Sequence, residues 1–208
     1  MANRKGLDII ICGVGGQGVV LMSELLGDAA VRDGVEVKGS EVLGMAQRGG
    51  SVFSNIRLGS GVYSPLTPES KCDVLVALEP SEALRNIQYL SKTSVVVMNS
   101  REIKPFTVFL GKSGYPTQEE IMKGLKKVVD SITSLDATQM AVDAGSQQST
   151  NVVMLGALYG TGLMPVSTET AKASIQGRFK AKVAEMNIKA FDLGYKAVQE
   201  ALRVAQAR

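Results

Sequence analysis

The sequence predicts a three-layer α/β/α domain with a largely parallel (mixed) sheet and a helical C-terminal third, and three observations carry that expectation. Leu7–Cys12, Val74–Leu78 and Val95–Met98 are short, continuous apolar runs, the pattern of strands covered on both faces. Segments with apolar residues at helical spacing follow the first two of these runs. The remainder of the chain is weighted towards capped helices. A chain of 208 residues with 45% hydrophobic content suits one compact domain, so 1–208 is read as a single unit.

Each element has its own warrant. After the Leu7–Cys12 strand a helix is expected from about Gln17, with Leu21, Met22, Leu25, Leu26, Ala29 and Ala30 as its buried stripe and Gly34 as its stop. Val35–Val37 begins the next strand, making a strand-helix-strand unit with a right-handed crossover. The glycine-rich stretch from Gly39 reads as a surface loop or short irregular helix. It leads into a strand in which Val52, Ser54, Ile56 and Leu58 face one way and Phe53, Asn55 and Arg57 the other. Ala83, Leu84, Ile87 and Leu90 mark a helix after Val74–Leu78.

Thr107–Leu110 and Ser131–Leu135 are candidates for further strands. Thr117 and Glu120 have capping-box spacing, which predicts a helix to about Val129. Asp136 is a second N-cap, with Gly145 ending its helix. A small-residue helix follows in which Gly156 and Ala157 permit close approach of another backbone. Ser167 caps a helix to about Arg178, and Ala181–Ala207 forms the last, with Val183, Met186, Ala190, Leu193, Ala197 and Ala201 inward.

What the chain lacks limits its chemistry. With no histidine, a Ser-His-Asp or Cys-His relay is excluded. Two cysteines, Cys12 and Cys72, cannot supply the usual zinc or iron-sulfur ligands, and each reads as a small core residue, so no metal site is expected. The net charge of +3 gives no argument for nucleic acid. Its excess lies between Lys172 and Arg208, where a solvated helix face is the expected reading. No signal peptide or membrane span is expected, and the protein is placed in the cytoplasm.

The motif Gly13-Val14-Gly15-Gly16-Gln17-Gly18 has the spacing of a dinucleotide fingerprint at a strand-to-helix turn. Its companions are missing. The place for a ribose-binding acid at the end of the second strand holds Lys38, with Glu41 further on, and Gly18 is followed by Val19 rather than by the Lys-Ser or Lys-Thr of a P-loop. Free-standing nucleotide binding is therefore disfavoured. Gln17 places an amide at the helix mouth, where it can meet a phosphate, a partner's backbone or the loop containing Gln47 and Arg48. That loop, Gln47-Arg48-Gly49-Gly50-Ser51, offers a guanidinium on a glycine-rich backbone, suited to a phosphate or carboxylate.

Together with "EVLGMAQRGGSVFSNIRLG", "CDVLVALEPSEALRNIQYL", "TNVVMLGAL" and "NIKAFDLGYKA", the glycine motif resembles the gamma-type subunits of the 2-oxoacid:ferredoxin oxidoreductases, and among them the small subunits of the indolepyruvate branch. The resemblance runs in order over nearly the whole chain. It implies an enzyme that decarboxylates a 2-oxoacid on thiamine diphosphate and magnesium, reduces ferredoxin through iron-sulfur clusters and transfers the acyl group to coenzyme A. It also implies that a large partner subunit carries the thiamine and the clusters, since this chain has neither cluster-spacing cysteines nor a thiamine-binding GDG segment. The pyruvate, 2-oxoisovalerate and 2-oxoglutarate branches are alternatives, as is a stand-alone nucleotide-binding regulator. By the same resemblance, Gly13, Gly15, Gly16, Gln17 and Gly18 form the glycine turn. Gln47, Arg48, Gly49, Gly50 and Ser51 form a facing loop at a docking surface near the coenzyme A side of the catalytic cleft.

Overall fold

The computed structural model describes residues 6–44 and 49–206. Six strands form one sheet: β1 (Gly6–Val14), β2 (Val37–Leu43), β3 (Ser51–Gly59), β4 (Val74–Ala77), β5 (Val95–Asn99) and β6 (Ser131–Leu135). Their order is β2-β3-β1-β4-β5-β6. The β1, β4, β5 and β6 neighbours run parallel, whereas β3 lies antiparallel to both β1 and β2. The helices are α1 (Val19–Arg32), α2 (Pro80–Arg85), α3 (Phe106–Phe109), α4 (Gln118–Lys126), α5 (Ala137–Ala144), α6 (Thr150–Gly160), α7 (Thr168–Arg178) and α8 (Ala181–Gln206).

Alternation along the strands divides the interior into two cores. Ile9 and Ile11 of β1, Val74 and Val76 of β4 and Val97 of β5 face α1 and the C-terminal helices α5 to α8. Ile10, Cys12, Leu75, Ala77, Val96 and Met98 face the opposite layer, where Ala83 of α2 and Ile121 and Leu125 of α4 cover them. The connection after β1 thus runs over one face and the connection after β4 over the other. In an open α/β sheet that reversal leaves a crevice beyond the carboxyl ends of the two strands.

Several local expectations are revised. The stretch from Gly39 is strand rather than loop, since β2 continues to Leu43. β2 pairs with β3 instead of β1, so the strand-helix-strand unit is split by an antiparallel strand that arrives later in the chain. Thr107–Leu110 is not a strand: Phe106–Phe109 is a single helical turn, with none of its residues buried. The helix begun by the Thr117–Glu120 capping box ends at Lys126. On α8 Ala190 is buried as expected and Leu193 and Ala197 pack against the core, but the buried line runs through Ala184, Asn187, Phe191, Gly194 and Val198, rotated from the expected one, and Val183 and Ala201 are exposed.

That rotation has a cause in α6. A Cβ on Gly156 would lie 1.9 Å from the Phe191 carbonyl oxygen, and one on Gly194 1.9 Å from that of Val153. The two helices cross backbone to backbone, and the glycines rather than the larger apolar residues fix the contact line.

Asp33, just beyond α1, accepts the Ser167 N–H at 2.6 Å and the Thr170 hydroxyl, tying α1 to the start of α7. Those bonds, the Ser167 amide first, hold its carboxyl below the usual aspartate range. Since the folded group titrates below the unfolded one, its stabilisation is complete above the unfolded pKa and is lost as pH falls through the folded value. Asp33→Asn is therefore expected to lower the melting temperature at neutral pH, and to lower it less at an acid pH where the carboxyl is protonated in the folded chain. An equal difference at both pH values would contradict this linkage.

Candidate functional site

The crevice between β1 and β4 is where the glycine motif lies. β1 continues through Val14 and α1 begins at Val19, leaving Gly15–Gly18 as the turn. Gly16 and Gly18 have φ of +98° and +81°, the left-handed region that glycine enters without a Cβ penalty. A Cβ on Gly18 would also lie 2.4 Å from Nδ2 of Asn151, a buried residue of α6 that donates to the Gly18 carbonyl at 3.2 Å. Gly13 meets a different requirement: its Cβ would lie 2.7 Å from Oε1 of Gln17.

Gln17 is the bolt across the crevice. Its Oε1 accepts the Val14 N–H at 2.7 Å and its Nε2 donates to the Leu78 carbonyl at 2.8 Å. One amide therefore holds the turn closed and ties it to the end of β4, so both of its polar ends have partners within the chain. Asn99, at the end of β5, donates to the same Leu78 carbonyl at 3.2 Å, and its Oδ1 accepts the Ala137 N–H of α5 at 3.1 Å.

The companion segment meets the turn. Gly15 donates its N–H to the Gly50 carbonyl at 2.8 Å and accepts that of Gly49 at 3.2 Å, which brings Gly15 together with Gly49 and Gly50. Ser51 donates its hydroxyl to Oε2 of Glu82 at 2.5 Å. Gln47 and Arg48 lie outside the described residues. Glu41 accepts the Ser23 hydroxyl at 3.1 Å on β2, with β3 standing between it and β1, away from the place of a ribose acid.

Sequence reading passed over two acids. Glu79 and Glu82 are 0% and 2% exposed. Glu82 accepts from Ser51 and from Nε of Arg85 at 3.0 Å. Glu79 caps α2, and its carboxylate accepts the Ser81 hydroxyl at 2.6 Å, the Glu82 N–H at 3.2 Å, the Ile103 N–H at 3.4 Å and the Tyr115 hydroxyl. The available signal was positional: Gly13, Glu79 and Asn99 each stand where an apolar parallel strand stops.

Three clefts surround the turn. One of about 550 Å³ lies between Gly15, Gly18, Val20, Glu24, Gly44 and Val52. A second, of about 600 Å³, is lined by Gly16, Gln17, Arg101, Lys104, Phe109 and Thr150. A third, of about 610 Å³, includes Gly49, Ser51, Glu82, Arg85, Ile103 and Tyr115. The first hollow holds Glu24 and no cation, whereas in the other two the cations stand beside acids, Lys104 3.5 Å from Glu102 and Arg85 3.0 Å from Glu82, with Arg101 lining the second. Burial first, then the nearby Glu82 carboxylate, pushes the Cys12 thiol well above its usual range, and burial raises Cys72 likewise. Neither is a ready thiolate nucleophile or ligand. Among the described residues no group of three or more His, Cys, Asp or Glu is placed to hold a metal ion, and no helix is long and apolar enough to cross a membrane.

The sequence profile of the pyruvate ferredoxin/flavodoxin oxidoreductase family matches residues 8–197. Indolepyruvate oxidoreductase subunit IorB of Pyrococcus horikoshii is 43% identical over 201 residues, covering 96% of this chain and 100% of that protein. The subunit of the same name from Archaeoglobus fulgidus is 42% identical over 189 residues, covering 91% and 94%. Among solved structures, the keto/oxoacid ferredoxin oxidoreductase gamma subunit of Geobacter sulfurreducens superposes with a TM-score of 0.70 at 25% identity, over 94% of this chain and 98% of its own.

Proposed function

The chain belongs to the pyruvate ferredoxin/flavodoxin oxidoreductase family, and from that premise we propose that it is the small, thiamine-free subunit of an indolepyruvate:ferredoxin oxidoreductase. The observation that carries the branch is the end-to-end 43% identity with the Pyrococcus horikoshii indolepyruvate subunit, against 25% for the Geobacter sulfurreducens gamma subunit. In the reaction, an aryl pyruvate, coenzyme A and two oxidised ferredoxins give an arylacetyl-CoA, carbon dioxide, a proton and two reduced ferredoxins. The bond broken joins the carboxylate to the keto carbon, and the new bond joins that carbon to the thiol sulfur.

This chain's residues do not fit thiamine diphosphate, its magnesium or an iron-sulfur cluster. It has two cysteines, both buried, and no histidine, so those groups are assigned to a larger catalytic subunit, through which ferredoxin is also reached. The whole chain acts as one domain in the cytoplasm, with neither nucleic acid nor membrane as a partner. Its contribution is to the coenzyme A side of the shared cleft, through Gly13, Gly15, Gly16, Gln17 and Gly18 of the turn and through the segment Gln47, Arg48, Gly49, Gly50 and Ser51. What supports this reading is the position of the turn at the sheet's reversal, where ligands of open α/β sheets bind.

Anaerobic co-expression with the large subunit tests the proposal. Ferredoxin reduction should follow aryl pyruvates in preference to pyruvate, require coenzyme A and disappear when the small chain is left out. Preference for pyruvate, or full activity of the large subunit alone, overturns it. Arg48→Ala should lower turnover by about three- to tenfold or weaken co-elution, as loss of one charge-assisted contact does. Unchanged activity together with unchanged co-elution would remove Arg48 from the site.

A further inference from the structure

We infer that Glu79 is a positioning residue that fastens both feet of the Ile103–Tyr115 segment and thereby sets one wall of the clefts beside the glycine turn. The segment has little else to hold it. Phe106 and Phe109 are each 73% exposed and Leu110 is 52% exposed, so this turn of helix has no core beneath it. Its internal bonds, Lys112 N–H to the Thr107 carbonyl at 2.9 Å and the Ser113 hydroxyl to that of Thr107 at 2.8 Å, close the loop on itself without anchoring it.

The anchors converge on one atom. Oε1 of Glu79 accepts the Ile103 N–H at 3.4 Å at one foot and the Tyr115 hydroxyl at the other. The ammonium of Lys104 sits 5.7 Å from the centre of the Tyr115 ring, so the two feet also touch each other. Oε2 is held from the opposite side by the Ser81 hydroxyl and the Glu82 N–H, which fixes the carboxylate to the first turn of α2. Four donors around a fully buried group suit a carboxylate, which only accepts. An amide would turn its own N–H groups towards donors on one side or the other.

The geometry has a consequence for the clefts. Ile103 lines the hollow that contains Gln17 and also the one that contains Ser51, and Lys104 and Phe109 line the first. Leu78, immediately before Glu79, accepts the Gln17 amide. The glycine turn and the facing strap are thus fastened to consecutive residues at the end of β4.

The role in catalysis rests on the proposed coenzyme A side of the shared cleft, while the fastening itself does not. Peptide-resolved hydrogen exchange on the co-purified complex tests the fastening, with Tyr115→Phe and Glu79→Gln as probes and Ser81→Ala as control. Both probes should speed exchange across 103–115 by about tenfold or more and leave β1 and β4 unchanged, while the control, which loses a bond to the other oxygen, leaves the strap within about twofold. Tyr115→Phe should also raise KM for coenzyme A by about tenfold with kcat within about twofold, the split expected when a wall that binds the substrate equally in the ground and transition states is loosened. Should Glu79→Gln fail to fold, the phenol variant decides alone. Unchanged strap exchange overturns the fastening, and faster exchange with unchanged KM overturns the positioning role. A wild-type complex that turns over without coenzyme A overturns the functional reading, and the exchange result still decides whether Glu79 holds the strap.

Discussion

Gly194→Ala is expected to cost about 3 kcal/mol or more of stability, enough to leave much of the chain unfolded, because backbone overpacking cannot be relieved by a change of rotamer. The new methyl would sit 1.9 Å from the Val153 carbonyl oxygen and 3.0 Å from the Ala157 nitrogen, both part of the α6 backbone. Relief requires α6 and α8 to separate along a line that also includes Gly156 and Gly160, whose Cβ atoms would meet the Phe191 and Tyr195 carbonyls. Gly27→Ala is the matching control: Gly27 lies within α1 with nothing within 4 Å of its Cβ, so alanine there should stabilise by about 0.5–1 kcal/mol. Urea midpoints at constant slope compare the two, and a Gly194→Ala midpoint close to wild type would refute the backbone crossing. The effect should extend beyond α6 itself, because that helix carries Asn151, which holds the Gly18 carbonyl.

Local signals were readable wherever one segment of chain decides its own conformation. The Thr117–Glu120 capping box, the Asp136 and Ser167 caps and the buried parallel strands all depend on neighbours within a few residues. Partnerships across the chain were not. Nothing near Val35–Leu43 announces that β3 will insert beside β1, since strand order depends on which edges remain unpaired after collapse. The stripe of α8 differs for a related reason: apolar side chains suggest one contact line, whereas Gly194, which has none, is where the α6 backbone approaches.

The candidate site divides the same way. Positive φ at Gly16 and Gly18 follows from the motif itself, and the meeting of Gly15 with Gly50 completes the ladder between β1 and β3. The inward turn of Gln17 could not be read from its type, because a glutamine at a helix mouth faces solvent as readily as it bridges two strand ends. Glu79 was missed because an acid before a proline resembles a surface turn. Its burial depends on Tyr115, 36 residues further along.

Gln17→Leu should therefore lower turnover of the assembled enzyme by about tenfold or more while reducing stability by only about 1–2 kcal/mol. Leucine keeps the bulk but leaves the nearly buried Val14 N–H without its acceptor and removes the tie to Leu78, although Asn99 still donates to that carbonyl. The fold loses one bridge, whereas the crevice loses the element that sets its width. Gln17→Glu separates the two ends of the amide: it retains an acceptor for Val14 and places a carboxylate against the Leu78 carbonyl, so the β4 side should open selectively. Turnover and urea midpoints measured on the co-purified complex distinguish a positional role from a structural one. If both variants lose activity only in proportion to lost folded protein, Gln17 is a bolt of the scaffold alone. If activity falls in protein that remains folded and assembled, the width of the crevice between β1 and β4 is part of how the small subunit serves the reaction.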